Sequence, residues 1–393
     1  MPFFLYICNV IDNEKRYKIV YCTPALYMAG GVERVLTLKA SYFADYLDYD
    51  VTIILTEGKG KPVFYPLSDK VRVINLDINY EELWTCSFLK KIWLYLKKRP
   101  LYKKKLTIEL MRIRPDVTIS LLRREINFVT SIKDGSKKVG ELHINREHFR
   151  TEEGENPGIV KILFAKVWMR NLVPKLKSLD RLVVLTEDDK RAWKELDHVV
   201  AIPNPLSFVP KLQSPLTEKR VIVIGRYCHE KGYPFLLQAW AEVQKQCAEW
   251  RLETYGDGDR SSYEALIDEL QIDRRRCILH GRTSDVQQEY AASSIAVCSS
   301  KYEGFGMVIV EAMACGLPVV SFDCPWGPRN IITDGEDGLL VENGNTHLLA
   351  EALVSLMKNP DRIAQMAEKA RQNVRRFRIE EVAEKWKDLF EHL

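Results

Sequence analysis

Short runs of β-branched and apolar residues recur along the chain, separated by helix-length stretches whose apolar positions fall three and four apart. Lys18 to Cys22, Val51 to Leu55, Val71 to Leu76, Val117 to Ser120, Val139 to Leu142, Leu182 to Thr186 and Val199 to Ile202 form a first series. A second series begins at Arg220 to Gly225. It continues through Leu252 to Tyr255, Cys277 to His280, Ile295 to Cys298, Val319 to Phe322 and Leu339 to Val341. Runs so continuously apolar suit strands buried on both faces, and alternation with helices such as Val32 to Leu47 and Glu187 to Leu196 predicts parallel sheets. Two series predict two doubly wound, Rossmann-like domains facing a central cleft, an α/β architecture. Pro203, Pro205, Pro210 and Pro215 crowd one short stretch that neither helix nor central strand tolerates, so the linker falls at about 203–217. The domains are therefore expected at 1–205 and 206–393. Three helical segments follow the last strand, His347 to Met357, Arg362 to Phe377 and Ile379 to Leu393, and the last could cross back to the first domain.

Length and composition change this picture little. A chain of 393 residues, 46% hydrophobic and 28% charged, suits two globular cores and excludes long disorder. No apolar run reaches the roughly 18 residues that a membrane-spanning helix needs. Met1 to Val10 is apolar but lacks a basic leader, and reads as a tail before the first strand. Nine cysteines without a C-x-x-C pair point to reduced thiols in a cytosol. Charge is more informative. Residues 1–205 carry 35 Lys and Arg against 26 Asp and Glu, whereas 206–393 carry 23 against 28. The basic first half suggests an anionic partner, and with no recognition-helix or stacking signature that partner is not nucleic acid.

In open α/β sheets ligands bind beyond the carboxyl ends of the strands, where glycines admit the backbone and helix N-termini attract anions. Three strand ends have this character. Gly30 and Gly31 directly precede a helix, although a Gly-Gly pair alone serves a plain loop as readily. Gly225-Arg226 with Lys231-Gly232 places a forked and a compact cation on one loop, suited to a diphosphate or simply solvated. The third end, Glu303 to Val320, is a glycine-flanked turn opening a short apolar helix in which Glu311 is the one charge between Met307 and Val320. A carboxylate there is costly unless something pairs with it or binds it. Asp48-Tyr-Asp50 and Asp257-Gly-Asp259 match a metal–nucleotide pattern, but turn chemistry accounts for both. The seven histidines show no metal-ligand spacing, and no strand is followed by G-x-G-x-x-G.

These residues resemble glycosyltransferase family 4, whose members adopt the GT-B fold. Ser300 to Val320 looks like that family's E-x7-E block, supported in order by Gly30 to Arg34, Ile202 to Pro205, Gly225-Arg226 with Lys231-Gly232, and Gly335 to Val341. Cys324 to Pro328 and Leu185 to Lys190 look like a subgroup that builds bacterial surface glycans. The resemblance implies that Arg226, Lys231, Gly30 and Gly31 bind the donor diphosphate. It implies that Glu303 and the amides of Gly304, Phe305, Gly306 and Met307 hold the donor sugar, and that Glu311 takes the ribose diol. His143, after the strand Lys137 to Leu142, matches the family's active-site histidine, with His148 close enough to compete.

The expected activity is a retaining, metal-independent transfer of a sugar from a nucleotide donor, most simply a uridine diphosphate sugar, needing no cofactor. The acceptor is expected to be a glycan or lipid-linked glycan in cell-surface polysaccharide synthesis. A nucleotide-sugar epimerase or hydrolase and an inactive sugar-nucleotide-binding scaffold are the alternatives. Phe88 to Leu106 carries eight cations among aromatic and aliphatic residues, and Gly158 to Leu176 interleaves Lys161, Lys166, Arg170 and Lys175 with apolar ones. Such stretches can lie on an anionic membrane. A cytoplasmic protein, peripheral on the inner membrane face, is therefore expected.

Overall fold

The structure is a computed structural model that describes residues 15–83, 85–146 and 170–393. Met1 to Val10, His148 and residues 158–169 of the second basic stretch lie outside the described residues. Among the described residues, thirteen strands form two parallel sheets. The first contains β1 (Lys18–Thr23), β2 (Asp50–Leu55), β3 (Arg72–Asn75), β4 (Val117–Ser120), β5 (Lys137–Glu141), β6 (Arg181–Val184) and β7 (Val199–Ala201), in the order β3-β2-β1-β4-β5-β6-β7. Around it lie α1 (Gly31–Asp45), α2 (Phe88–Ile113), α3 (described over 170–177) and α4 (Glu187–Ala192).

The second sheet contains β8 (Arg220–Ile224), β9 (Arg251–Tyr255), β10 (Cys277–His280), β11 (Ile295–Cys298), β12 (Val319–Phe322) and β13 (Gly338–Val341), in the order β10-β9-β8-β11-β12-β13. Its helices are α5 (Tyr233–Gln246), α6 (Ser261–Glu269), α7 (Val286–Ala291), α8 (Met307–Ala314), α9 (Thr346–Met357), α10 (Pro360–Asn373) and α11 (Ile379–Glu391). Packing gathers Ala40–Lys138, with the described residues up to Met28, into one compact unit. Ala29–Lys39 and Val139–Leu393 form the other.

Strand alternation builds the core of the second sheet. On β8, Val221 and Val223 enter a cluster with Trp240, Leu353 and Phe322, whereas Ile222 and Ile224 point the other way, toward Ile309, Val310 and Met313 of α8. Strand β11 divides in the same way, Ile295 and Val297 to one cluster, Ala296 and Cys298 to the other. Both faces are thus covered, as the near-continuous apolar runs require. The strand order reverses between β8 and β11, which pair directly. The loops leaving their carboxyl ends therefore flank the crevice where such sheets bind ligands.

Candidate functional site

The loop after β8 runs from Gly225 through a turn of 3-10 helix, His229–Lys231, to Gly232, which opens α5. Gly232 sits at φ 63°, and a Cβ there would fall 2.0 Å from the Ser299 carbonyl oxygen. Only glycine lets this loop lie so close to the one leaving β11. Ser299 Oγ donates to the Lys231 carbonyl at 2.9 Å, and the Lys301 N–H to the Glu230 carbonyl at 2.8 Å. The stitched loops bring two predicted residues together: Lys231 Nζ lies 2.6 Å from Glu303 Oε1, with Ser300 Oγ donating to the same oxygen at 2.7 Å. Burial alone would lower the Lys231 ammonium, but the Glu303 carboxylate outweighs it and holds the group above its ordinary value. Lys231 and Glu303 thus act as one ion pair.

Beyond Glu303 the chain turns through Gly306, at φ 103°, into α8. Phe305 faces inward, edge-on to Phe377 with ring centroids 5.5 Å apart, so it offers a ligand its backbone alone. Glu311, one turn into α8, is enclosed, and burial pushes its carboxyl above the ordinary value while Arg34 and Ser207 pull it back. Arg34 Nη1 donates to Glu311 Oε1 at 3.0 Å, and Ser207 Oγ donates to the same atom. Both partners escaped the sequence reading. Arg34 was visible only as the end of the Gly30 to Arg34 motif, and its contact lies 277 residues away; Ser207 carries no local signal.

Helix α1 positions a second group of residues. Lys39 contacts Glu141 Oε1, and the same oxygen lies 3.1 Å from His143 Nε2. The three side chains are 2%, 2% and 7% exposed. Burial would raise Glu141, yet Lys39 and His143 bring it down to about 2. His143 also meets the Glu303 loop through its backbone, since a Cβ on Gly304 would lie 2.9 Å from the His143 carbonyl oxygen. Asn145 Nδ2 makes a long contact, 3.4 Å, to the Glu303 carbonyl. His143, Gly304, Glu303 and Lys231 therefore form a connected set.

The remaining predicted residues are more open. Arg226 is exposed and makes no ion pair among the described residues. Gly31 is exposed at the first turn of α1, with open space where a Cβ would be, whereas a Cβ on Gly30 would strike the Glu33 carboxylate. Asp257 and Asp259 bond to backbone N–H groups of their own turn, at Gly258 and Ser261. No cluster of three His, Cys, Asp or Glu with metal-binding geometry occurs among the described residues, and none of the described helices is long and apolar enough to cross a membrane.

In the basic stretch Phe88 to Leu106, Lys97, Lys98, Lys103, Lys104 and Lys105 do not all face outward, as a membrane-contacting surface would need. Lys98 Nζ donates to the carbonyls of Ile78 and Asn79 at 2.7 and 2.6 Å, and Lys105 Nζ to that of Leu76 at 2.6 Å. These two tie α2 to the loop after β3. The outer face of α2 instead carries exposed Trp93, Leu96, Leu101, Ile108 and Met111 beside Lys97, Lys103 and Lys104.

Residues 218–359 match the family of glycosyl transferases group 1. The chain is 29% identical over 378 residues to an uncharacterized glycosyltransferase of Haemophilus influenzae, covering 95% of this chain and 99% of that one. It is 26% identical, again covering 95% and 99%, to the amylovoran biosynthesis glycosyltransferase AmsD of Erwinia amylovora. Among solved structures it is similar to Anabaena HepE in complex with UDP and glucose, with a TM-score of 0.71 and 19% identity over 96% of this chain and all of that one. The likeness to HepE is one of fold.

Proposed function

Because the chain is a glycosyltransferase of the GT-B fold, we propose that it is a retaining, metal-independent member of family 4. It would transfer a sugar from a uridine diphosphate donor to a lipid-linked glycan in bacterial surface polysaccharide synthesis. The observation that carries this reading is the Lys231–Glu303 pair, set at the β8/β11 reversal with the enclosed Glu311 eight positions further on. A sugar leaves a nucleoside diphosphate as an oxocarbenium-like species while negative charge grows on the phosphates. Fixed cations and N–H groups then lower the barrier directly, with no general acid needed.

Arg226, exposed and paired with no acid among the described residues, is the forked group for the diphosphate, and the open N-terminus of α1 at Gly31 adds N–H donors. Lys231 supplies a second charge, shared with Glu303. Glu303 and the amides of Gly304 to Met307 hold the transferred sugar beside His143, and the second oxygen of Glu311 accepts from the ribose diol. The donor side comprises residues 206–393 and the acceptor side 1–205. UDP in HepE and amylovoran in the name of AmsD support the donor and pathway assignments. The outer face of α2, apolar and cationic together, supports peripheral contact with an anionic membrane from the cytoplasm. Glu303→Gln tests the reading: turnover should fall at least about tenfold, on the scale of one lost hydrogen bond to a charged group, with the fold intact. Full activity in that variant would refute it.

A further inference from the structure

The loop after β12 carries a cost that the fold alone does not explain. Trp326 sits at φ 81°, in the left-handed region that glycine occupies freely and a bulky side chain rarely does. Its half-buried indole has an enclosed Nε1–H with no hydrogen-bond partner among the described residues, where a buried tryptophan N–H ordinarily finds an acceptor. Backbone strain of this kind gathers at ligand sites, where the surrounding structure holds it in place. We propose that Trp326 is a specificity residue of the donor-sugar site, its indole N–H taking a hydroxyl of the transferred sugar as the acceptor that the chain does not supply. This rests on the assignment of Glu303 to that sugar proposed above.

The neighbouring glycine places the tryptophan there. A Cβ on Gly327 would fall 2.8 Å from Glu303 Cβ and 2.6 Å from the Phe305 carbonyl oxygen. Trp326 is therefore one residue from the turn whose amides are assigned to the sugar. The strained backbone is fixed from its exit side. Arg329 closes the loop by a forked pair to Asp323, at 2.8 and 2.7 Å. Asn330 Nδ2 donates to the Trp326 carbonyl at 3.1 Å and to Asp188 Oδ2 at 2.8 Å, and the Asn330 N–H donates to the Gly327 carbonyl at 3.0 Å. Asn330 thereby joins the segments Leu185 to Lys190 and Cys324 to Pro328 beside the Glu303 turn, although they are far apart in sequence.

Structure alone favours other residues at this position. Glycine makes the same turn without strain, and phenylalanine offers an aromatic ring without an unpaired donor. What neither supplies is an N–H fixed beside the sugar. Because Nε1 is enclosed, the indole turns on its fixed backbone to meet a hydroxyl, exchanging an unmade hydrogen bond for a made one. A sugar lacking that hydroxyl leaves the donor unpaired, and a site built to bond a hydroxyl rejects such an analogue.

The test is calorimetric titration of the full chain with UDP-glucose, UDP-galactose and UDP-N-acetylglucosamine, with UDP as the control. Trp326→Phe should bind UDP as wild type does. It should bind the tightest of the three sugar nucleotides about three- to tenfold more weakly, the scale of one neutral hydrogen bond. Deoxy analogues of that donor then find the hydroxyl: one whose removal weakens wild type by this factor should leave Trp326→Phe unchanged. Loosened packing weakens every analogue alike and does not produce that selective loss. If Trp326→Phe does not fold, Trp326→Gly, unstrained at this φ, takes its place in the same comparison. Equal discrimination among the analogues by wild type and the folded variant would overturn the inference while leaving the donor reading intact. A wild type that binds none of the three sugar nucleotides would overturn the donor reading, and the inference with it.

Discussion

Lys231→Met removes the ammonium from a carboxylate that is nine-tenths enclosed. Ser300 Oγ still donates to the same oxygen at 2.7 Å, and the Cys298 thiol makes a weak contact to it at 4.0 Å. Taking one partner from a fully buried ion pair costs ~3–5 kcal/mol. Lys231 retains 22% exposure and Ser300 still donates, so about 2 kcal/mol is expected, a fall of about 4–8 °C in melting temperature. Because the folded ammonium lies above its ordinary value, the pair is fully formed below the unfolded lysine pKa. It is lost only as pH climbs through the folded one, so the difference between wild type and variant should be flat through the neutral range. The same substitution should weaken UDP, measured by isothermal titration, by about 10–150-fold, corresponding to 1.5–3 kcal/mol for a charge-assisted bond. Lys231→Met/Glu303→Gln leaves no orphaned carboxylate, and should recover most of the melting temperature but none of the affinity. A single variant that melts and binds UDP like wild type would refute the view that this pair supports the fold and faces the phosphates.

Three further outcomes are expected. Binding of UDP should release protons in mildly acidic buffer, because ribose donors stabilise the ionised form of a Glu311 carboxyl that burial has raised; calorimetry in buffers of different ionisation heat reads this, and Glu311→Gln should abolish it. Gly304→Ala should lower turnover by about tenfold or more and lower the melting temperature as well, since its Cβ would push on the His143 carbonyl and displace the Glu303 loop. Replacing Lys97, Lys103 and Lys104 with Gln should release the protein from anionic vesicles at low salt, at about 1 kcal/mol per cation, whereas changing Lys98 or Lys105 should lower stability instead.

Those two lysines show where the sequence was legible and where it was not. A run of eight cations reads as a charged surface, but residues seven apart share one helix face. Lys98 and Lys105 lie on the inward face with Tyr102 and Leu106, where their long stems reach carbonyls of the loop after β3. The strands were readable because burial on both faces leaves few choices of residue, as at Val221 to Ile224. Helix α8 was readable because two glycines bracket it, and Glu311 stood out as its one charge. The partners of these residues were not readable. Arg34 to Glu311, Lys231 to Glu303 and Lys39 to Glu141 join residues 277, 72 and 102 positions apart. No local pattern encodes such separations, and the strand order that creates them emerges only once the sheet forms.

The Lys231–Glu303–Glu311 site is proposed to turn over a nucleotide-activated sugar without a metal. Incubation with a panel of UDP-, GDP- and ADP-sugars in excess chelator, following nucleoside diphosphate release and the anomeric form of the freed sugar, tests it most directly. Slow release from a UDP-sugar is expected, undiminished by chelator, with the donor's anomeric configuration retained and the rate at least about tenfold lower in Glu303→Gln. Release that needs a divalent cation, that inverts the anomeric centre, or that proceeds equally well in Glu303→Gln would contradict it.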